Sequence, residues 1–134
     1  MLNELKVKEV MTRNVITITP DQEVVFAFEK LMKNKISILP VVENDQVLGI
    51  VTSSDLGYNL ILDNYELGTS VGQIMVKDIA YISPEDSIAT AINKMNSFTD
   101  NSAIINQLIV IENDQIVGII SDGDIIKILK DTKL

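Results

Sequence analysis

Two stretches of this chain place a hydroxyl and a carboxylate three residues apart where a strand pattern gives way to a helix pattern. They are Gly49-Ile50-Val51-Thr52-Ser53-Ser54-Asp55 and Gly118-Ile119-Ile120-Ser121-Asp122-Gly123-Asp124. A helix start presents backbone N–H groups without intrahelical partners, at the positive end of the helix dipole, and so suits an anion such as phosphate. Thr52 can add a hydroxyl bond there, Ser53 opens the first turn, and the Asp55 carboxylate can accept two hydrogen bonds from the vicinal hydroxyls of a ribose. The same Thr-x-x-Asp spacing is that of a capping box, in which the hydroxyl caps the helix and the acid reaches back. The two readings coexist if the cap gives way when a ligand arrives. In the second stretch Asp122 stands where the first has Ser53. A carboxylate 4 Å from a phosphate opposes it by about 4 kcal/mol at an effective dielectric of 20, and by less if exposed. The two stretches are therefore expected to be unequal.

The elements that position these residues are written twice. Val7-Lys8-Glu9-Val10-Met11 matches Val71-Gly72-Gln73-Ile74-Met75, and Ile18-Thr19-Pro20-Asp21 matches Ile82-Ser83-Pro84-Glu85, both at an offset of 64. Glu43 to Thr52 matches Glu112 to Ser121 at an offset of 69, so the second copy carries five extra residues between Ser97 and Gln107. Residues 7–63 form the first repeat, 64–70 a linker and 71–131 the second repeat.

Each repeat reads β-α-β-β-α after a short amphipathic turn. A strand is expected over residues 15–18 and again over 79–82. Thr19-Pro20-Asp21 and Ser83-Pro84-Glu85 read as helix starts, with Pro in the first turn and the acid on the dipole. The helix over residues 22–33 places Val25, Phe28, Leu31 and Met32 at helical spacing; Ile88, Ile92 and Met95 repeat it. Strands over 36–42 and 46–51 join through Glu43-Asn44-Asp45, a hairpin turn because Asn and Asp tolerate positive φ. A last helix spans residues 53–63. Gly57 within it costs about 1 kcal/mol relative to Ala, which either a close helix–helix contact, as at a dimer interface with Leu60 and Ile61, or a frayed turn explains. One copy leaves a sheet face uncovered, so the copies are expected to pack sheet to sheet as one pseudo-twofold module.

Composition removes several function classes. A formal net charge of −8, with 11 basic residues forming no stripe, counts against nucleic acid. His and Cys are both absent, which removes the commonest general base, thiol nucleophiles and most zinc chemistry. No nucleophile–base pair or Walker loop appears, and Asp122 with Asp124 is a weak magnesium signal. The expectation is no enzyme, no metal and no cofactor. No apolar run approaches the ~20 residues of a membrane span, and the first residues do not read as a signal peptide. A cytoplasmic protein without membrane contact is expected.

Taken together, Val-Met, Ile-Thr-Pro-Asp, Leu-Pro-Val-Val-Glu and Gly-Ile-Val-Thr-x-x-Asp, with Ile-Ser-Pro-Glu and Gly-Ile-Ile-Ser-x-x-Asp in the second copy, resemble a CBS domain pair, or Bateman module, over residues 7–130. The resemblance implies a regulatory module that binds an adenosine nucleotide, such as AMP, ADP, ATP or S-adenosylmethionine, in the cleft between the repeats. It further implies a homodimer that reports to a separate effector protein. It assigns the ribose to Asp55 and Asp124 and the neighbouring hydroxyls to Thr52 and Ser121. It puts the adenine beside Val15, Ile16, Thr17, Ile36 and Pro40, and beside Ile79, Ala80 and Tyr81 in the other copy; plain core packing is the alternative for the aliphatics. The Tyr81 ring can stack on a base. Arg13, Lys35 and Lys77 are candidate phosphate partners. The Asp55 site should tolerate a phosphate, whereas the Asp124 site should take an uncharged or cationic adenosyl group or stay empty. Ile109 in place of Pro40, and the insert around Thr99-Asp100-Asn101-Ser102, depart from the first copy. The alternative function is a ligand-free dimerisation and docking module.

Overall fold

Asn44 and Asp45 take φ of 53° and 64°, and Asn113 and Asp114 take 54° and 63°. Two successive left-handed residues make the two-residue turn whose twist suits a hairpin. In the computed structural model, which describes residues 2–97 and 106–131, these turns join β1 (Ile38–Glu43) to β2 (Gln46–Thr52) and β4 (Gln107–Glu112) to β5 (Gln115–Ser121). Both pairs are antiparallel, with an irregularity at the same point, Val41/Val42 and Val110/Ile111. Their burial patterns are identical strand for strand. The helices are α1 (Val24–Lys33), α2 (Ser53–Ile61), the short α3 (Val71–Ile74), α4 (Ile88–Ser97) and α5 (Asp122–Asp131). The insert around Thr99 to Ser102 lies outside the described residues.

The strand expected over 15–18 is reduced to a single parallel bridge between Ile18 and Val41, while its counterpart forms β3 (Tyr81–Ile82), parallel to β4. Pro40 explains the difference. At the equivalent place in the second copy, the Ile109 N–H donates to the Ala80 carbonyl at 3.1 Å; a proline has no N–H to give. Only the bonds around Ile18 survive in the first copy, its N–H to Pro40 O at 3.0 Å and its carbonyl from Val42 N–H at 2.8 Å.

The helices also start later than expected, at Val24 and Ile88. Thr19-Pro20-Asp21 folds into a turn of its own, closed by the Gln22 N–H on Thr19 O, and the residue before each helix instead bridges another segment: Glu23 with Ser70, Ser87 with Lys6. Glu85 does not serve the helix dipole, for its carboxylate pairs with Lys6 and Lys8 at 2.8 Å each. Helix α1 ends in a Schellman motif in which Lys35 takes φ 53° and the Ile36 N–H bonds Leu31 O at 3.1 Å. That reversal keeps Ile36 out of β1. Asp63, at φ 56°, similarly lies beyond the end of α2 at Ile61.

The described residues form two compact units, one of those up to Val15 with those from Ala80 onward, the other of Ile16–Ile79. Each repeat has thus given its leading turn to the other's core. Val7 and Met11 are buried with Ile82, Ile88, Leu108 and Ile120, whereas Val71 is buried with Leu31, Leu39, Val41 and Leu56. The leaders continue onto the edges of the hairpins, where Thr12 bridges Ile119 and Val76 bridges Ile50. Glycine is needed at both crossings. A Cβ on Gly49 would stand 2.7 Å from the Val76 carbonyl oxygen, and one on Gly118 would stand 2.6 Å from Met11 Sδ and 2.9 Å from Thr12 O. Gly57 lies against the Phe28 ring, its would-be Cβ 3.2 Å from the nearest ring carbon. The close contact expected at Gly57 is therefore made within the chain, between α1 and α2.

Candidate functional site

In the Ile16–Ile79 unit, β2 runs directly into α2 at Thr52, and the Thr52 hydroxyl accepts the Asp55 N–H at 3.2 Å. The Ser53 N–H donates to Ser37 O at 3.0 Å, tying the helix start to the segment that begins at Ile36. Among the first three N–H groups of α2, that leaves the one on Ser54 without a bond among the described residues. The Asp55 carboxylate does not reach back to complete a capping box. Its one bond among the described residues is from the Asn59 amide, at 3.3 Å, and the residue is exposed. Asn59 also donates to the Asp55 carbonyl at 2.8 Å and accepts from Asn64 at 2.9 Å. Burial, followed by the negative charge of Asp55, holds the nearby Tyr65 phenol above its ordinary value of 10.0, against the effect of its bond with Asn59.

The corresponding place in the other unit is closed by its own side chains. Ser121 Oγ accepts the Asp124 N–H at 3.2 Å and Asp124 Oδ2 accepts the Ser121 N–H at 3.0 Å, a complete capping box. The Asp122 N–H goes to Asn106 O at 2.9 Å, and the Gly123 N–H to the Asp122 carboxylate at 2.7 Å. Asp122 thus occupies with its own negative charge the donor that is open at Ser54. The two hydroxyl–carboxylate pairs, alike in sequence, differ in whether the carboxylate is engaged.

The remaining sequence-predicted residues fall into two groups. In the Ile16–Ile79 unit, Thr52 pairs with Ile38 and Pro40 with Ile50 across the hairpin, and Ile18, next to Thr17, bonds Pro40. Thr17, Ile36, Pro40, Thr52 and Ser53 are thereby linked around one hairpin. Ile16, Thr17, Ile36 and Ile79 are half-buried, Pro40 is buried and Lys35 is exposed. In the other unit Val15 is half-buried, Ala80 is buried with its carbonyl bonded to Ile109, and Tyr81 is exposed. Arg13 donates to Lys8 O at 2.8 Å, while Lys77 is exposed.

Two lysines were missed by sequence reasoning. Lys30 Nζ donates to Thr17 O at 2.7 Å and Lys94 Nζ to Tyr81 O at 2.8 Å, the latter also lying 5.7 Å from the centre of the Tyr81 ring. Both reach from a helix to the same place in the repeat, a signal available from their shared offset of 64. Among the described residues no group of three or more acidic side chains is placed to hold a metal, and no helix is long and apolar enough to cross a membrane.

The model of the CBS domain matches residues 7–58 and again residues 71–131. The chain belongs to the CBS domain family. An uncharacterised protein of Methanocaldococcus jannaschii is 31% identical over 125 residues, covering 93% of this chain and 40% of that protein. A homoserine O-acetyltransferase of Methanosalsum zhilinae is 30% identical over 129 residues, covering 96% and 25%. The CBS pair therefore spans well under half the length of these relatives. Among solved structures, the CBS domain pair of protein MJ0100 in complex with 5′-methylthioadenosine and S-adenosyl-L-methionine superimposes with a TM-score of 0.81 at 22% identity, covering 96% of this chain and 98% of that one. CBSX2 in complex with AMP gives 0.78 at 23% identity, covering 95% and 97%. These likenesses establish a tandem CBS fold of mixed α/β type.

Proposed function

We propose that this CBS pair is a non-catalytic, cytoplasmic sensing module that binds a phosphate-bearing adenosine nucleotide at the Asp55 helix start. The observation that carries this reading is the exposed Asp55 carboxylate, unused by the helix cap, two residues after Ser53 and beside the open Ser54 N–H. A carboxylate suits a ribose diol as acceptor, and the N–H at the helix start suits a phosphate. The adenosine ligands of two proteins of the same fold support the ligand class. Ile16, Thr17, Ile36 and Pro40 form the apolar surroundings of the base, with Lys35 at the exposed end. At Ser121 and Asp124, with Ala80 and Tyr81 as the base surroundings, binding must first open a closed cap beside the Asp122 charge. That place takes an adenosyl group without a phosphate or stays empty. The bound state is read by a protein effector, and the module acts as a homodimer.

A thermal-shift screen against AMP, ADP, ATP, S-adenosylmethionine, NAD and cyclic dinucleotides tests the reading, with Asp55→Ala and Asp124→Ala alongside. A ligand at a hundredfold excess over Kd raises stability by about 2.7 kcal/mol. A shift with AMP that disappears in Asp55→Ala supports the proposal. No shift with any nucleotide favours the second reading, a ligand-free docking module, which rests on the large apolar side chains exposed along α1 and α2.

A further inference from the structure

The two copies differ at one position beside the carboxylate. The offset of 69 that pairs Asp55 with Asp124 also pairs Leu56 with Ile125, both buried, so α2 and α5 turn the same faces to their cores. On that register Asn59 corresponds to Ile128, and both are half-buried. Asn59 stands one helical turn beyond Asp55, where a side-chain amide reaches a carboxylate four residues back. Its Nδ2 donates to the Asp55 carbonyl at 2.8 Å and to Asp55 Oδ1 at 3.3 Å. Its own Oδ1 accepts from Asn64 Nδ2 at 2.9 Å, and its carbonyl accepts the Asn64 N–H at 2.9 Å. The amide is thus held from two sides, and it draws the carboxylate along the helix instead of back toward the Thr52 N–H.

An isoleucine side chain has no N–H to offer. Asp124 therefore finds no side-chain donor four residues on, and its Oδ2 turns back to the Ser121 N–H at 3.0 Å. Asp122, the other local change, supplies no attraction toward that cap. Its carboxylate has the same sign as Asp124 and bonds the Gly123 N–H at 2.7 Å. A closed cap must open before a ribose diol can reach the carboxylate, and binding weakens in proportion to the fraction of molecules already open. Asn59 removes that loss. Its 3.3 Å bond takes one of about four acceptor positions on the Asp55 carboxylate and leaves the residue exposed.

We propose that Asn59 is a positioning residue that keeps Asp55 out of its helix cap and presents it to a ribose, an inference that rests on the nucleotide reading of the Asp55 site. Amide proton shifts of the ligand-free, isotope-labelled protein are followed by NMR as pH falls through the ordinary carboxylate range. A backbone N–H bonded to a carboxylate loses a charged acceptor when that group is protonated, and shifts strongly. In the wild type the Ser121 N–H should show this response and the Thr52 N–H should not. Asn59→Ile, which copies the second repeat, should give Thr52 the Ser121 response, whereas Asp122→Ser should leave Ser121 as it is. Calorimetric titration with AMP should find Asn59→Ile weaker by about tenfold, the factor for a cap open in about a tenth of the molecules. Asn59→Gln, which keeps an amide, should bind as the wild type does. An unchanged Thr52 in Asn59→Ile, a closed cap without weaker AMP binding, or a Ser121 response lost in Asp122→Ser overturns the proposal. A wild-type protein that binds no AMP overturns the nucleotide reading, and the ribose role of Asn59 with it, while the amide responses still decide whether Asn59 holds the cap open.

Discussion

Gly49→Ala is the sharpest probe of how the leading turn is held. The new Cβ would stand 2.7 Å from the Val76 carbonyl oxygen and 2.9 Å from Met75 Cγ and Sδ. The thioether can swing aside, but the carbonyl belongs to backbone. To reach an ordinary 3.4 Å contact it must retreat by 0.7 Å (3.4 less 2.7), and it is one of the two acceptors in the reciprocal Ile50–Val76 pair, whose bonds are both 2.9 Å. Overpacking of this kind costs about 1–3 kcal/mol, and each weakened bond adds roughly 0.5–1.5 kcal/mol. The smaller backbone entropy of Ala offsets about 0.5–1 kcal/mol. With one bond weakened, the net expectation is a loss of about 0.5–4 kcal/mol. Urea unfolding of the variant should show a lower midpoint with an unchanged slope. Gly57→Ala is the control: it meets only the tip of the Phe28 ring at 3.2 Å, which can shift, and gains about 1 kcal/mol of helix propensity, so it should be nearly neutral. A Gly49→Ala protein as stable as wild type would refute the account of the Val76 crossing.

Other expectations concern the caps, the ion pairs and the exchanged leaders. Without ligand, Asp124→Ala should cost about 0.5–2 kcal/mol by chemical denaturation because it opens a capping box, whereas Asp55→Ala should cost less, its carboxylate meeting Asn59 alone among the described residues, at 3.3 Å. Glu85 is lowered from 4.5 to about 2 by its bonds to Lys6 and then Lys8. A depressed acid stabilises the fold above its unfolded value, so this contribution is complete above pH 4.5 and disappears as pH falls toward 2. Glu85→Gln should flatten the pH dependence of stability in that window, and about 0.5 M salt should weaken the effect, since the pair is exposed. Val71, fully buried among residues of the first repeat, should cost about 2 kcal/mol when changed to Ala. By circular dichroism, a fragment of residues 16–79 should be better folded than one of residues 1–63, which lacks it.

Much of this fold is legible because its signals are local. Asn44-Asp45 and Asn113-Asp114 specify hairpins by their tolerance of positive φ, and the apolar spacing of Val24 to Lys33 specifies a helix without reference to anything distant. The exchange of leaders is not local. Val7 to Met11 and Val71 to Met75 are so alike in sequence that pattern alone does not say which core takes which turn, and only the packed chain distinguishes them. The missing first strand was legible in principle, for Pro40 lacks the N–H that Ile109 supplies, but only once the parallel pairing partner is known. The late helix starts follow from bridges to Ser70 and Lys6, residues far away in sequence. At the candidate site, the residue types of Thr52, Asp55, Ser121 and Asp124 were legible. That one carboxylate closes a cap and the other does not depends on rotamers and on Asn59, which pattern alone does not resolve.

The most direct test of the central claim is calorimetric titration of AMP into the wild-type protein, Asp55→Ala and Asp124→Ala. The account predicts saturable binding by the wild type, loss of binding in Asp55→Ala, and retention of binding in Asp124→Ala. Binding that survives Asp55→Ala unchanged, or two equal sites per chain, would contradict it.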